Sequence, residues 1–120
     1  DIGKTADRFT SMIGLAGSLK GLMYLHFPVE VAVGLTGAML GMEVTEADED
    51  VSDCLGEIAN MVAGGFKSRL EGRGVDTSLA IPTTVRGRQV QTSGKLSTDV
   101  SRLAFSTQGG GFSLELQYLL

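Results

Sequence analysis

Leu103 and Phe105, then Phe112, Leu114, Leu116 and Tyr118, alternate with Ser106, Ser113, Glu115 and Gln117 on either side of the turn residues "QGGG". Side chains of a strand point alternately to its two faces, so this period of two predicts two half-buried strands of one hairpin. A second hairpin is expected near the start. The runs "RFTSMIGLAG" and "LKGLMYLHF" hold β-favouring residues and are separated by Gly17-Ser18, which supply turn chemistry.

Between the hairpins the period changes. Pro28 suits the first turn of a helix, and "VEVAVGLTGAML" runs from it to Gly41, a C-cap candidate. Val29, Val31, Val33 and Gly34 are poor helix formers, so a strand stays open for that segment. Thr45 can cap a second helix, with Glu46, Asp48 and Glu49 at the positive end of its dipole. That helix is expected from about residue 46 to about residue 71, where Gly72 and Gly74 stop it. Pro82 is incompatible with a central-strand donor, and "TTVRGRQVQT" reads as extended and polar-alternating. The fold class is therefore α+β, an antiparallel sheet packed with two or more helices. With 120 residues and 42% hydrophobic content, one domain over residues 1–120 is expected. The chain starts at Asp1 rather than Met, so an N-terminal element is expected to be missing.

Composition narrows the partners. The formal charge is −4, with Glu43, Glu46, Asp48, Glu49, Asp50, Asp53 and Glu57 crowded into one region and no Lys/Arg stripe, which speaks against nucleic acid. No apolar run reaches the roughly 18 residues needed to span a bilayer, and no leader precedes them, so no membrane partner is expected. Cys54 is the sole cysteine and no Cys or His cluster has metal-ligand spacing. A cytoplasmic protein with no metal of its own is the expectation.

The second helix carries the chemistry. At 100° per residue, Val51, Leu55, Ile58, Val62 and Phe66 fall within about 80° of one another, a stripe that must face the core. Asp53, Glu57 and Asn60 then lie within about 60° of one another on the opposite side, and Gly64 continues their line. Glycine inside a helix costs about 1 kcal/mol relative to alanine, so Gly56 and Gly64 beside this ridge point to close approach by a partner. Spacing alone favours the plain reading, a solvated helix face.

The order of the residues says more. "DCLGEIAN" is Asp-x-x-x-Glu-x-x-Asn, and Pro82 stands 22 positions after Asn60. This combination resembles the CheC/CheX/FliY family of bacterial chemotaxis phosphatases, whose signature is an Asp or Ser, then Glu and Asn on one helix, with a proline about that far downstream. "AMLGMEVTEADEDVSDCLGEIANMVAG" looks like the family's helix, acidic turn and active-site helix in sequence, and "IPTTVRG" looks like the segment with its proline. A single motif in a short chain is more similar to the CheX branch than to the two-site CheC branch. Gly65 departs from the asparagine that commonly follows "AG" in the family. The N-terminal helix of the CheX branch has no counterpart in residues 1–7.

The resemblance implies a CheC-like fold and hydrolysis of the aspartyl phosphate on a response regulator of the CheY type. It implies that Asn60 positions the attacking water and that Glu57 docks on a lysine of the regulator. Asp53, Gly56 and Gly64 would contact the partner, and Pro82 would be a scaffold residue. The regulator would supply the Mg²⁺, leaving the phosphatase without a cofactor, covalent intermediate or general base of its own. Homodimers through sheet edges are implied too, with the terminal hairpin as the candidate edge. The alternative is a non-catalytic CheC-like binding or regulatory module in a signalling or flagellar-switch complex.

Other candidates carry less. His26 in "LMYLHF" has no local Ser, Cys or Asp partner and reads as a packed or edge-strand histidine. "QGGGF" lacks the Lys-Ser/Thr of a phosphate-binding loop. The acidic run from 43 to 53 lacks the central glycine of a Ca²⁺ loop. Cys54 and the scattered methionines read as core filling.

Overall fold

The computed structural model describes residues 7–44, 49–87, 99–107 and 110–119. Strands β1 (Arg8–Gly17) and β2 (Lys20–Pro28) form the first hairpin, and helices α1 (Val29–Leu40) and α2 (Glu49–Glu71) follow. Then come β3 (Thr77–Leu79), β4 (Thr83–Gly87), β5 (Asp99–Thr107) and β6 (Gly110–Leu119). All pairings are antiparallel. The order is β3-β1-β2-β6-β5, and β4 shares the outer side of β1 with β3, against Arg8–Met12.

The register of the first hairpin sorts its side chains. Phe9 stands opposite Phe27 and Ile13 opposite Met23 on the face that both helices cover, while Thr10 opposite His26 and Met12 opposite Tyr24 point the other way. Gly17 turns the chain with φ 126°, and a Cβ there would stand 2.8 Å from the Asp76 carbonyl oxygen, so only glycine fits. The Ser18 N–H donates to that same carbonyl at 2.9 Å, which ties the turn to the segment after α2.

The segment after Pro28 is a helix, not a strand. Val31, Ala32 and Thr36 are buried, and the Thr36 hydroxyl donates to the Ala32 carbonyl at 2.9 Å. Burial on the sheet outweighs the weak propensity of valine, which costs only about 0.5 kcal/mol per residue. Gly41 closes the helix in the left-handed region with φ 67°.

Helix α2 ends at Glu71, before Gly72, as expected, while the Thr45 cap and the start at residue 46 lie outside the described residues. Its buried line is Val51, Leu55, Ala59 and Ala63, each with no exposed surface. Ile58, Val62 and Phe66 are only half-buried. The core-facing direction is thus turned by about 40° from the expected stripe. The physical reason is size: the two alanines let the helix axis approach the sheet, and the larger side chains pack along its margin.

The terminal hairpin forms, but its burial departs from the alternation. Leu114, Glu115, Leu116 and Gln117 are all buried, because β6 is an inner strand between β2 and β5. Leu103 at 57% and Phe105 at 39% exposure stay open on the outermost strand, β5. The first half of "TTVRGRQVQT" is β4, and the rest lies outside the described residues.

Candidate active site

Asp53, Glu57 and Asn60 project from the outer side of α2 and are all exposed. Among the described residues none of the three side chains makes a hydrogen bond or ion pair. The surface therefore presents one short acid, one longer acid and one carboxamide whose side-chain bonding capacity is unspent on the described residues.

The helix is held in place from below and from one side. A Cβ added at Gly56 would sit 3.9 Å from Pro82 Cγ and 3.9 Å from Thr84 Oγ1, so the proline-bearing segment packs against this point of the helix. Thr84 in turn shares a 2.8 Å hydroxyl hydrogen bond with Ser11 of β1. Gly56 is four residues before Asn60, so Pro82 lies one turn along from the carboxamide on the same flank. On the other flank, the buried Cys54 thiol donates to Met39 Sδ of α1 at 3.4 Å, joining the two helices. Gly64 is different from Gly56: a Cβ there would meet nothing within 4 Å.

The structure thus places Asp53, Glu57 and Asn60 on one open line, brings Pro82 to Gly56, and leaves Gly64 beside free space. Sequence reasoning passed over Ile81 and read Met61 as core filling with the other methionines, a reading that the exposure of Met39, Met42 and Met61 overturns. Ile81 and Met61 are the two most exposed large apolar side chains among the described residues, at 89% and 67%. Their only signal in the sequence was position: Ile81 precedes the proline and Met61 follows the asparagine.

The chemotaxis phosphatase CheX family model matches residues 9–106, which contain the motif, the proline and five of the six strands described above in whole or part. The chain belongs to the CheX family. Its sequence is 34% identical over 82 residues to the CheY-P phosphatase CheX of Thermotoga maritima, a match covering 68% of this chain and 53% of that protein. The chain thus spans about half the length of that CheX relative. The crystal structure of chemotaxis protein CheX from Vibrio vulnificus superposes with a TM-score of 0.85 at 31% identity, over 93% of this chain and 76% of the other. The CheX of a CheX–CheY–BeF₃–Mg²⁺ complex from Borrelia burgdorferi shares the fold, with a TM-score of 0.81 at 19% identity over 93% of this chain and 76% of that one. The antiparallel sheet with two helices is the architecture of these CheX structures, and of a CheC-like protein from Shewanella matched with a TM-score of 0.86 at 27% identity over 100% of this chain and 79% of that one.

The sheet face away from the helices is also rich in polar residues, but they are paired. The Thr10 hydroxyl and His26 Nδ1 are 3.0 Å apart, and the His26 ring lies nearly parallel to Tyr24, with centroids 6.1 Å apart. Gln117 Nε2 donates to Glu115 Oε2 at 2.8 Å, and Arg102 Nε donates to Glu115 Oε1 at 3.4 Å. Burial, followed by the positive charge of Arg8, lowers the pKa of His26 to about 4 against the opposing pull of Glu115. His26 is thus the packed histidine that its sequence context suggests, on an inner strand rather than an edge. Among the described residues, no helix is long and apolar enough to cross a membrane.

Proposed function

We propose that the chain is a phosphatase of a phosphorylated response regulator, acting on the aspartyl phosphate of a CheY-type receiver. The observation that carries this reading is the Glu57 and Asn60 pair, three residues apart on a helix flanked by Pro82, with no side-chain partner among the described residues, in a chain of the CheX family. The activity assigned to the Thermotoga maritima relative supports it.

Little chemistry is demanded of such an enzyme. Phosphoryl transfer depends mainly on positioning and charge neutralisation, and a receiver brings its own Mg²⁺ and cationic side chain. The missing part is a water held in line. The Asn60 Oδ1 accepts a hydrogen bond from that water while Nδ2 donates to a phosphoryl oxygen, and no negative charge is brought to the phosphate. Water oxygen bonds to phosphorus, the bond from phosphorus to the aspartyl oxygen breaks, and inorganic phosphate and a free carboxylate result. Glu57 forms a charge-assisted contact with a lysine of the receiver, which sets the register of the helix over the pocket. Asp53 adds to docking, Gly56 and Gly64 allow approach, and Pro82 holds the segment beneath. Catalysis needs no resident metal. The chain works in the cytoplasm, where receivers reside, and pairs as a homodimer through β5, the outermost strand among the described residues, with Leu103 and Phe105 exposed.

The test is phosphate loss from a purified, Mg²⁺-bound phosphorylated receiver with wild type, Asn60→Ala and Glu57→Ala. Wild type accelerates loss. Asn60→Ala lowers the rate on the order of 10²-fold or more while leaving docking nearly intact, whereas Glu57→Ala weakens both. Equal small effects from the two variants overturn the assignment of roles, and no acceleration by wild type across the receivers of its own cell leaves a docking module instead.

A further inference from the structure

Strands β3 and β4 lie along the same side of β1 but in different registers. Leu79 stands opposite Leu15, whereas Thr83 stands opposite Met12, so Ala80, Ile81 and Pro82 face only Ile13 and Gly14. Three residues against two is the count of a β-bulge. The Ala80 N–H still donates to the Gly14 carbonyl at 2.9 Å, which leaves Ile81 as the extra residue, and its side chain stands out into solvent. A one-residue slip exchanges which residues of a strand lie on which face. Before the bulge, Thr77 and Leu79 lie on the helix side of the sheet. After it, Pro82, Thr84 and Arg86 do, with Thr84 beside Ser11 and the Arg86 guanidinium 5.6 Å from the centre of the Phe9 ring. Pro82 Cγ and Thr84 Oγ1 are consequently the atoms that a Cβ at Gly56 would meet, each at 3.9 Å.

We infer that Thr84, locked to Ser11, is a positioning residue of the site: it sets how the turn of α2 from Gly56 to Asn60 stands on the sheet edge, and thereby the aim of the Asn60 carboxamide. The inference rests on the phosphatase reading and deepens it. Ser11 is fully buried among apolar neighbours on the helix side of the sheet, next to Phe9, Ile13 and Leu25, and its hydroxyl meets Thr84 Oγ1 at 2.8 Å. Two apolar side chains of the same shape would serve stability about as well. What the hydroxyl pair adds is direction. The hydrogen bond selects one rotamer of the β-branched Thr84, and so holds Oγ1 rather than the methyl group against Gly56. Asn60 lies one turn after Gly56 on the same flank, so a displacement at one is carried to the other by the backbone hydrogen bonds between them. Alignment of a water is the step most sensitive to this, because a shift of about 1 Å costs on the order of 10²-fold in rate. Docking through the longer, adaptable Glu57 side chain tolerates it. The effect therefore falls on turnover rather than on affinity.

The experiment measures phosphate release over a series of phosphorylated-receiver concentrations, and binding to the same receiver loaded with BeF₃⁻ and Mg²⁺, below the melting temperature of every variant. Thr84→Val, which keeps the shape and removes the hydroxyl, lowers turnover at saturation about five- to tenfold, with the half-saturating concentration and the Kd unchanged. Thr84→Ser keeps the hydroxyl and most of the turnover. Ser11→Ala acts in the same direction as Thr84→Val, and the double variant Ser11→Ala/Thr84→Val falls no further, because the two hydroxyls work as one unit. The double variant also melts closer to wild type than Thr84→Val alone, since no buried hydroxyl is left without its partner. Thr83→Val, an exposed change on the other face of the same strand, leaves every reading at wild type. Wild-type turnover in Thr84→Val, with Asn60→Ala impaired, refutes the positioning role and leaves the phosphatase reading standing. A double variant whose turnover recovers together with its stability refutes it too, as does a raised Kd with intact turnover. If wild type neither docks on the receiver nor dephosphorylates it, both readings fall together.

Discussion

Two sets of polar residues occupy opposite sides of this molecule, and they are treated differently by the fold. On the helix-free face of the sheet, Thr10, His26, Glu115 and Gln117 are buried, and each has a partner within hydrogen-bond distance. On α2, Asp53, Glu57 and Asn60 are exposed and their side chains have none among the described residues. A buried polar group left unpaired costs about 1–3 kcal/mol, so the first set must be satisfied internally for the chain to fold. The second set is under no such constraint, and its bonding capacity is available to another molecule. Pairing, rather than polarity, separates residues that serve the fold from residues that serve a site.

The sharpest way to break this contrast is Asn60→Asp. It preserves size and exposure but replaces the amide donor with a negative charge facing a phosphoryl group. Turnover should fall on the order of 10²–10³-fold, with the melting temperature unchanged. A large stability loss instead would put Asn60 with the structural set.

His26 provides the converse. Its pKa is lowered from 6.5 to about 4 in the folded protein, mainly by burial and then by Arg8. The folded state favours the neutral ring, so between these values the unfolded chain binds more protons and stability rises with pH. The contribution is fully present above about pH 6.5 and is lost as pH falls towards 4, on the order of 3 kcal/mol in all. Urea unfolding at pH 7 and at pH 4.5 should show this drop in wild type and a smaller one in His26→Asn. An identical drop in both assigns the acid sensitivity to other groups.

Glu115→Ala has a smaller effect, because it strips the acceptor from the buried Gln117 amide and from Arg102 rather than charging the core. A stability loss of about 2 kcal/mol is expected, with the dephosphorylation rate per folded molecule unaltered. A changed rate would mean that the sheet face communicates with the ridge.

The parts of this division that depend on local periodicity were legible in the sequence. The two hairpins, the end of α2 and the outward line of Asp53, Glu57 and Asn60 all follow from residues close together in the chain. The exact rotation of α2 was not legible, since it depends on Ala59 and Ala63 fitting closely against the sheet, and alanine carries almost no weight in a hydrophobic pattern. Nor was the burial of Glu115 and Gln117, because β6 is enclosed by β2 and β5, and strand order is a long-range property. Pro82 meeting Gly56 spans 26 positions, and only the family resemblance brought the two regions together. Ile81 escaped notice for a simpler reason: an exposed isoleucine in a loop has no periodic signature.

Gly64 tests the contrast at its finest. In the interior of a helix, glycine is about 1 kcal/mol less favourable than alanine. At Gly56 the neighbouring Pro82 and Thr84 leave room for a methyl group in ordinary contact, but at Gly64 a Cβ would meet nothing within 4 Å. The described chain therefore gives no reason for glycine at position 64. Gly64→Ala should raise stability by up to about 1 kcal/mol. If the receiver approaches this stretch of α2 as closely as bare backbone permits, the same methyl group also weakens docking by a few-fold, leaving turnover at saturation intact. A variant that is both more stable and docks as well as wild type would end the ridge short of Gly64, leaving Asp53, Glu57 and Asn60 as its whole length.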